Sequence, residues 1–420
     1  MRHYLIYSQS DQQTLRDPRA ERAYDAVAVP GTVAAYFPEA TASFILATRR
    51  PYFIDVKTPL FQGPLVQPRP SHIALANTLS PTVAAALVAG GALGSAVYTE
   101  DVIHDLLRRT VEFQTTYHEQ ASAFRDKLAK YARLLAEARG EQPLAEPHAG
   151  LLAPEMILAP YFCARAIAND PWLDVDRRIW AAAAAREDST RIVPVVALDS
   201  EEPSSLEDIL SLLPDGLSRR VIFWLTGFDE RSEPRQRLSA LWKVVRDHRN
   251  RYDLINLYGG YFSVMLQFAG LAGFSNGIGY SESRRWPELA SSGAAPARYY
   301  VPLLHAFLSP GDAQLLVDQD PWFACPCDVC AAAQVAGRPA IVALSYHDLK
   351  KHFVLARQAE IDYVRNNSLD AVLEQLEDAI EHADALRRAV AARDPGAAVP
   401  SRFPVGHLAV WREAAADGAA

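Results

Sequence analysis

Ile192-Val193-Pro194-Val195-Val196-Ala197-Leu198, Val221-Ile222-Phe223-Trp224-Leu225 and Leu254-Ile255-Asn256-Leu257-Tyr258 are the runs that decide the fold. Each is short, apolar and rich in β-branched or aromatic side chains, as strands buried on both faces are. Between the second and third, Ser239 to His248 reads as an amphipathic helix with Leu241, Trp242, Val244 and Val245 on its buried side. Strands alternating with helices in this way build a parallel sheet covered by helices.

Working outward, Met156-Ile157-Leu158-Ala159, Tyr52-Phe53-Ile54 and Phe44-Ile45-Leu46-Ala47 read as further strands. At least six such runs predict an α/β chain built as a (β/α)8 TIM-like barrel. A doubly wound open sheet is the alternative, but no G-x-G-x-x-G follows the first strand. Pro81 to Leu93 reads as a buried Ala-rich helix, Thr99 to Ala138 as a long helical stretch with Leu128 and Leu135, and Glu141 to His148 as a loop. From Tyr346 the chain is helical, with an apolar stripe at Leu349, Phe353, Ala356 and Ile361, and a second helix follows Ser368. The expected division is an N-terminal segment over 1–40, the barrel over 41–310, a zinc-binding helical subdomain over 311–395 and a frayed tail over 396–420.

With 420 residues, half of them hydrophobic, the chain can bury a large core. No apolar run reaches the roughly 20 residues of a membrane span, and the start Met1-Arg2-His3-Tyr4-Leu5-Ile6-Tyr7 turns polar at once, so a cytoplasmic protein without a signal peptide is expected. The net charge of -8 argues against general coating of nucleic acid, while leaving room for a local basic groove.

Four cysteines are too few for a disulfide framework, yet three fall within Cys325-Pro326-Cys327-Asp328-Val329-Cys330. With His347, at the start of a predicted helix, the spacing is C-x-C-x2-C-x16-H. Three thiolates and an imidazole form a closed tetrahedral set, so one structural zinc ion is expected, with His352 as the rival fourth ligand. Cys163 stands alone and reads as a small buried hydrophobe.

This cysteine loop, followed by His347-Asp348-Leu349-Lys350-Lys351, resembles the zinc subdomain of the tRNA-guanine transglycosylases. That family has a (β/α)8 barrel and exchanges guanine in nucleic acid for a 7-deazaguanine through a covalent glycosyl-enzyme intermediate; a related branch acts on DNA. The resemblance covers residues 43–365. Phe53-Ile54-Asp55-Val56-Lys57-Thr58-Pro59-Leu60-Phe61-Gln62 is similar to the family's first catalytic segment, without the two glycines that follow its aspartate. Leu79-Ser80-Pro81 is similar to its Leu-Ser-Pro-Glu element, with Thr82 in place of the acid. Trp224 to Glu230 sits where a base-binding strand end is expected, and Leu257-Tyr258-Gly259-Gly260 through Gly273-Phe274-Ser275 follows the next unit. Arg284-Arg285 falls at the family's basic segment. The resemblance implies a nucleophilic aspartate between Gly273 and Tyr280, where this chain has no carboxylate; Glu282 is the nearest.

Base exchange needs a carboxylate that attacks the anomeric carbon and a second group that moves protons. In a barrel both lie at the C-terminal ends of strands. Asp55, Asp199, Asp229 and Glu282 fit that placement. Asp55 is read as acid/base, Glu282 or Asp229 as nucleophile, and Asp199, Gly227, Phe228, Gly259 and Gly260 as base-binding. Arg284, Arg285, Lys350 and Lys351 are candidate contacts to the polymer. The implied partners are DNA or tRNA and a 7-deazaguanine base, with a homodimer or heterodimer as the assembly. Two alternatives stay open: a non-catalytic partner subunit, and a nucleoside or glycoside hydrolase.

Overall fold

The computed structural model describes residues 1–48, 50–63, 68–90, 93–120, 153–199, 203–279, 282–286, 297–335, 337–393 and 404–419, with scattered positions over 129–142. Its centre is an eight-stranded, wholly parallel sheet. The strands are β1 (Arg2–Ile6), β2 (Ala26–Pro30), β3 (Tyr52–Asp55), β5 (Cys163–Ala164), β7 (Val195–Leu198), β8 (Arg220–Leu225), β9 (Asp253–Asn256) and β10 (Gly273–Asn276), in the order β3-β2-β1-β10-β9-β8-β7-β5. A second parallel pair joins β4 (Ile157–Leu158) to β6 (Ile192–Val193). Pro194 separates β6 from β7, because proline cannot donate to the ladder. On the other side, Phe53 bridges to Met156, and the Glu155 amide donates to the Tyr52 carbonyl at 2.8 Å.

The first strand lies against the last, and the sheet curls. This mixed α/β architecture is compatible with a TIM-like fold. Side chains alternate between two cores, as the strand period of two requires. In β8, Ile222 and Trp224 join Tyr4, Phe53 and Ile255 in one cluster. Val221, Phe223 and Leu225 join Leu241, Trp242 and Trp411 in the other.

Three expectations are corrected. Residues 1–40 are no separate segment, because β1 and β2 lie within the sheet. Phe44-Ile45-Leu46 lies in the Pro38–Thr48 helix, not in a strand; all three side chains are buried, and a short apolar run cannot by itself distinguish the two. The tail is no frayed end over 406–419, where a helix packs on the Arg235–His248 helix. There Trp411 is buried, and a Cβ at Gly418 would lie 2.4 Å from the Trp242 ring. Arg235 donates to Asp417 at 2.6 Å across the same contact.

The long stretch from Thr99 is helical over Glu100–Thr115 and Tyr117–Gln120; Leu128, Leu135 and most of the expected loop lie outside the described residues. An antiparallel hairpin, β11 (Tyr299–Val301) and β12 (Ala306–Leu308), precedes the cysteine loop. The helices Tyr346–Asn366 and Leu369–Arg393 follow it. No helix among the described residues is long and apolar enough to cross a membrane.

Trp411→Ala is expected to destabilise the chain by about 3–5 kcal/mol, as for other buried aromatics. Urea unfolding checks this; a loss below about 1 kcal/mol, the range of surface changes, would mean that the terminal helix is not part of the core.

Candidate metal centre and strand-end carboxylates

The cysteine loop folds back through a short helix, Asp328–Ala332, which begins just after Cys327. It brings Cys325, Cys327 and Cys330 to His352, with all four ligand atoms within 4.8 Å of one another. Tetrahedral zinc–thiolate bonds space their sulfurs roughly 3.8 Å apart, so the donor set fits such an ion. His352 Nδ1 lies 3.4 Å from Cys327 Sγ and 3.3 Å from Cys330 Sγ. Its Nε2 donates to the Tyr300 carbonyl at 2.6 Å, which leaves Nδ1 as the ligating nitrogen. Tyr299 stacks on the imidazole at 4.1 Å, and its hydroxyl lies 3.3 Å from Cys330 Sγ. Crowding splits the thiols. Hydrogen bonds from Cys325 and Cys330 hold Cys327 far below the ordinary thiol range, while the bond to Cys327 pushes Cys325 up. A divalent cation takes the place of the protons that such thiols share.

His352 therefore replaces His347 as the fourth ligand. Five residues on a helix turn the side chain by roughly 140°, to another face. The earlier position looks toward Asp11 and the N-terminal part of the chain. The apolar stripe held the signal: His352 is next to Phe353, in register with Leu349 and Ala356, whereas His347 is off the stripe.

The same helix carries Arg357, which is fully buried. Its Nη2 donates to Glu282 Oε1 at 2.5 Å and its Nη1 lies 2.8 Å from Glu360 Oε2. The guanidinium also rests over Tyr300, 5.1 Å from the ring centre. Glu360 Oε1 accepts from Tyr300 at 2.8 Å and pairs with His305 Nδ1 at 2.6 Å. Burial pushes the Glu282 carboxyl up, and Arg357 opposes that shift. Beside it, Glu230 accepts from the Gly260 amide at 2.9 Å and from the Ser263 hydroxyl at 2.5 Å. Burial pushes Glu230 up to about 7. A cavity of about 560 Å³ opens next to this network and the cysteine loop, reaching His305 and Glu360.

Asp55 occupies a different place. It ends β3 as a buried carboxylate. Its Oδ1 accepts from the Tyr161 hydroxyl at 2.7 Å and from the Lys57 amide at 3.2 Å. Burial and the Asp55 charge push the Tyr161 hydroxyl well up, so Tyr161 remains a donor. Tyr161 is anchored in turn, its amide donating to Thr58 Oγ1 at 2.8 Å. Gln62 continues the sheet edge by bonding both backbone groups of Cys163, at 2.5 and 2.7 Å. Trp224 and Tyr258 lie 5.3 Å apart nearby, and Trp224 donates to the Arg284 carbonyl at 3.0 Å. Asp199 follows β7 and is exposed, with the Trp286 indole donating to Oδ2 at 3.3 Å.

The described contacts thus gather Asp55, Lys57, Tyr161 and Tyr258, and separately Glu282, Glu230 and Arg357. Asp229 is half-buried and faces Arg231 at 3.6 Å. Phe228 is buried beneath Arg237, 5.4 Å from its ring centre. Gly227 has φ +76 and donates to the Arg284 carbonyl at 2.9 Å, a turn that favours glycine. A Cβ at Gly259 would lie 2.3 Å from Ser263 Oγ, and one at Gly260 would lie 3.0 Å from Glu230 and 3.2 Å from Glu282. These two glycines permit close packing. Arg285 is exposed beside Gly227. Lys350 is buried against Asp11 at 2.6 Å, and Lys351 pairs with Asp17 at 3.0 Å. They tie the His352 helix to the N-terminal part of the chain, which corrects the expectation of a basic surface there. Glu230, Arg357, Tyr161 and Lys57 were missed by the sequence reading. Only Glu230 and Lys57 carried a signal, each lying within two residues of a strand-end acid already noted.

Elemental analysis is expected to give about one metal ion per chain, lost in Cys327→Ser and His352→Ala and kept in His347→Ala. Glu282→Gln leaves Arg357 short of a charge partner and is expected to cost about 3–5 kcal/mol in urea unfolding. Glu230 holds its proton more tightly folded than unfolded, so its contribution to stability falls as pH rises from the ordinary carboxylate range through about 7. Glu230→Gln should flatten that part of the stability–pH curve; an unchanged slope would disprove the assignment.

Compared with known protein families the chain matches none, and no curated protein matches it.

Proposed function

We propose that the chain is a zinc-containing, transglycosylase-like enzyme that exchanges a guanine-type base in DNA or tRNA for a 7-deazaguanine. The observation that carries this reading is Asp55, a buried carboxylate at the C-terminal end of a parallel strand, oriented by Tyr161. The reading takes the curled sheet as a closed (β/α)8 barrel. The Phe53–Met156 bridge and the pairing of β4 with β6 support closure. It takes the metal as one structural zinc, since three thiolates and an imidazole leave no position for a substrate.

In this mechanism Asp55 gives a proton to the departing base and accepts one from the entering base. The Tyr161 bond holds the carboxylate at the strand end while it does so. Trp224 and Tyr258 supply aromatic faces for a planar base. Asp199 supplies an acceptor for its amino edge. The target base must leave its stack to arrive there, and exposed Arg285 suits a phosphate at the rim. A non-catalytic partner subunit is the second reading. It is favoured by Glu282 and Asp229 facing arginines and by the absence of a carboxylate from residues 273–279.

Nucleoside mass spectrometry after incubation with a 7-deazaguanine base and either tRNA or duplex DNA is the test. The wild-type chain should produce the modified nucleoside in one polymer, and Asp55→Asn should lower the rate by about 10²–10⁴-fold. No product in either polymer, from folded and metal-loaded protein, would sink the enzymatic reading in favour of the partner subunit.

A further inference from the structure

Lys57 follows two residues after Asp55, and its backbone is left-handed, with φ 48 and ψ 36. Non-glycine residues rarely adopt that conformation, and it tends to persist where the surroundings impose it. Here it lets the Lys57 amide bond the Asp55 carboxylate. The Lys57 side chain is buried. Its amine meets no hydrogen-bond acceptor and no ion-pair partner among the described residues. Burial, the largest influence, draws its pKa down; the Asp55 charge opposes that shift and Arg284 adds to it. A lysine whose stem is buried and whose amine has no ion-pair partner is reactive once neutral. The two carboxylates read as nucleophiles, Glu282 and Asp229, are engaged by Arg357 and Arg231 instead.

We propose that Lys57 is the nucleophile of the barrel mouth, its amine bonding the anomeric carbon of the nucleoside while Asp55 carries the proton. This rests on the base-exchange reading above. Asp55 first takes a proton from the Lys57 ammonium through one intervening water. The freed nitrogen lone pair forms a bond to C1′ as the C1′–N bond to the base breaks, and that bond's electron pair leaves on the base. The base takes the proton now held by Asp55. The Lys57 nitrogen, bonded to C1′ and positively charged, loses a proton to the Asp55 carboxylate. The resulting glycosylamine opens reversibly: the C1′–O4′ bond breaks, a C1′=N iminium forms, and O4′ takes that proton. Entry of the new base runs these steps backward, restoring Lys57 and Asp55. No oxidant or reductant takes part.

The test is trapping with cyanoborohydride, which reduces an iminium to a stable amine. The probes are guanine-containing tRNA and duplex DNA, and a DNA duplex bearing an abasic site, whose C1′ aldehyde forms the iminium without any base exchange. Peptide mass mapping should place the sugar adduct on Lys57 with the abasic duplex and with the polymer that undergoes exchange. Lys57→Gln should remove the adduct and lower exchange by about 10³-fold or more. Lys57→Arg keeps the charge without the nucleophile and should be equally inactive. Thermal unfolding of Lys57→Gln should show no loss of stability, since a charge without an ion-pair partner is removed, and Lys57→Arg is scored only where circular dichroism shows it folded.

An adduct absent or on other lysines, or exchange retained in Lys57→Arg within about tenfold, would overturn the assignment and leave Lys57 as a fixed cation. Exchange that persists in Lys57→Gln would overturn it while the base-exchange reading stands. A Lys57 adduct with the abasic duplex, but no exchange in either polymer, would support the nucleophile and remove the base-exchange reading.

Discussion

Arg357 is a guanidinium with no access to water, and the surroundings of the cysteine loop are arranged around that fact. A buried cation is tolerated only when it is paired with opposite charge. Glu282 comes from the loop after β10, and Glu360 from the next turn of the same helix. Glu360 in turn engages Tyr300 and the turn residue His305 of the hairpin. One charge therefore fixes three elements against one another. His352 lies five residues earlier on the helix, so the helix that satisfies Arg357 also delivers the fourth metal ligand. Its N-terminus is set independently by a capping box, in which the Asp348 amide donates to Ser345 Oγ at 3.2 Å and the Ser345 amide to Asp348 at 3.3 Å. Cysteine cluster, cap and salt bridge all meet on the same element, and Lys350 and Lys351 add its tie to Asp11 and Asp17.

What was legible in the sequence follows from this division of labour. Strands β7, β8 and β9 stood out because both faces are covered, which makes them near-continuous apolar runs. The central strand β1 did not, because Arg2 and His3 make it look polar. His3 is nonetheless buried, with Nε2 2.7 Å from Asn276 Oδ1 on the neighbouring strand and its pKa lowered by burial to about 4. A hydrogen bond made 273 residues away cannot be read from local composition. Phe44-Ile45-Leu46 failed for the opposite reason: a helix buried all round has no polar face to reveal its period.

The metal centre was legible in three of its four ligands. Cysteines cluster in sequence because one tight loop supplies them, whereas the histidine arrives from a helix whose register matters more than its start. The alanine-rich tail looked unstructured by composition. Trp411 was its one strong signal, since a large aromatic is seldom left exposed without a reason. The place of Asp55 at a strand end was legible because it closes an apolar run. Tyr161 was not, since its role exists only through a bond to a residue 106 positions away.

Two of the buried cations among the described residues, Arg357 and Lys57, differ in a way that stability alone does not explain. Around Arg357 the fold supplies two carboxylates and an aromatic face, as the desolvation of a permanent charge demands. Around Lys57 it supplies an Asp55 charge that acts without an ion pair, and a backbone conformation that is itself unfavourable. Arginine cannot escape its charge, but lysine can, by giving up a proton. A site that buries a lysine without pairing it has made neutrality accessible, and a neutral amine beside a carboxylate is a reactive arrangement more than a stabilising one. Residues that weaken the fold locally tend to mark where it acts. By that measure the proposed chemistry belongs at the end of β3, while the Arg357 network holds in place the helix that carries His352.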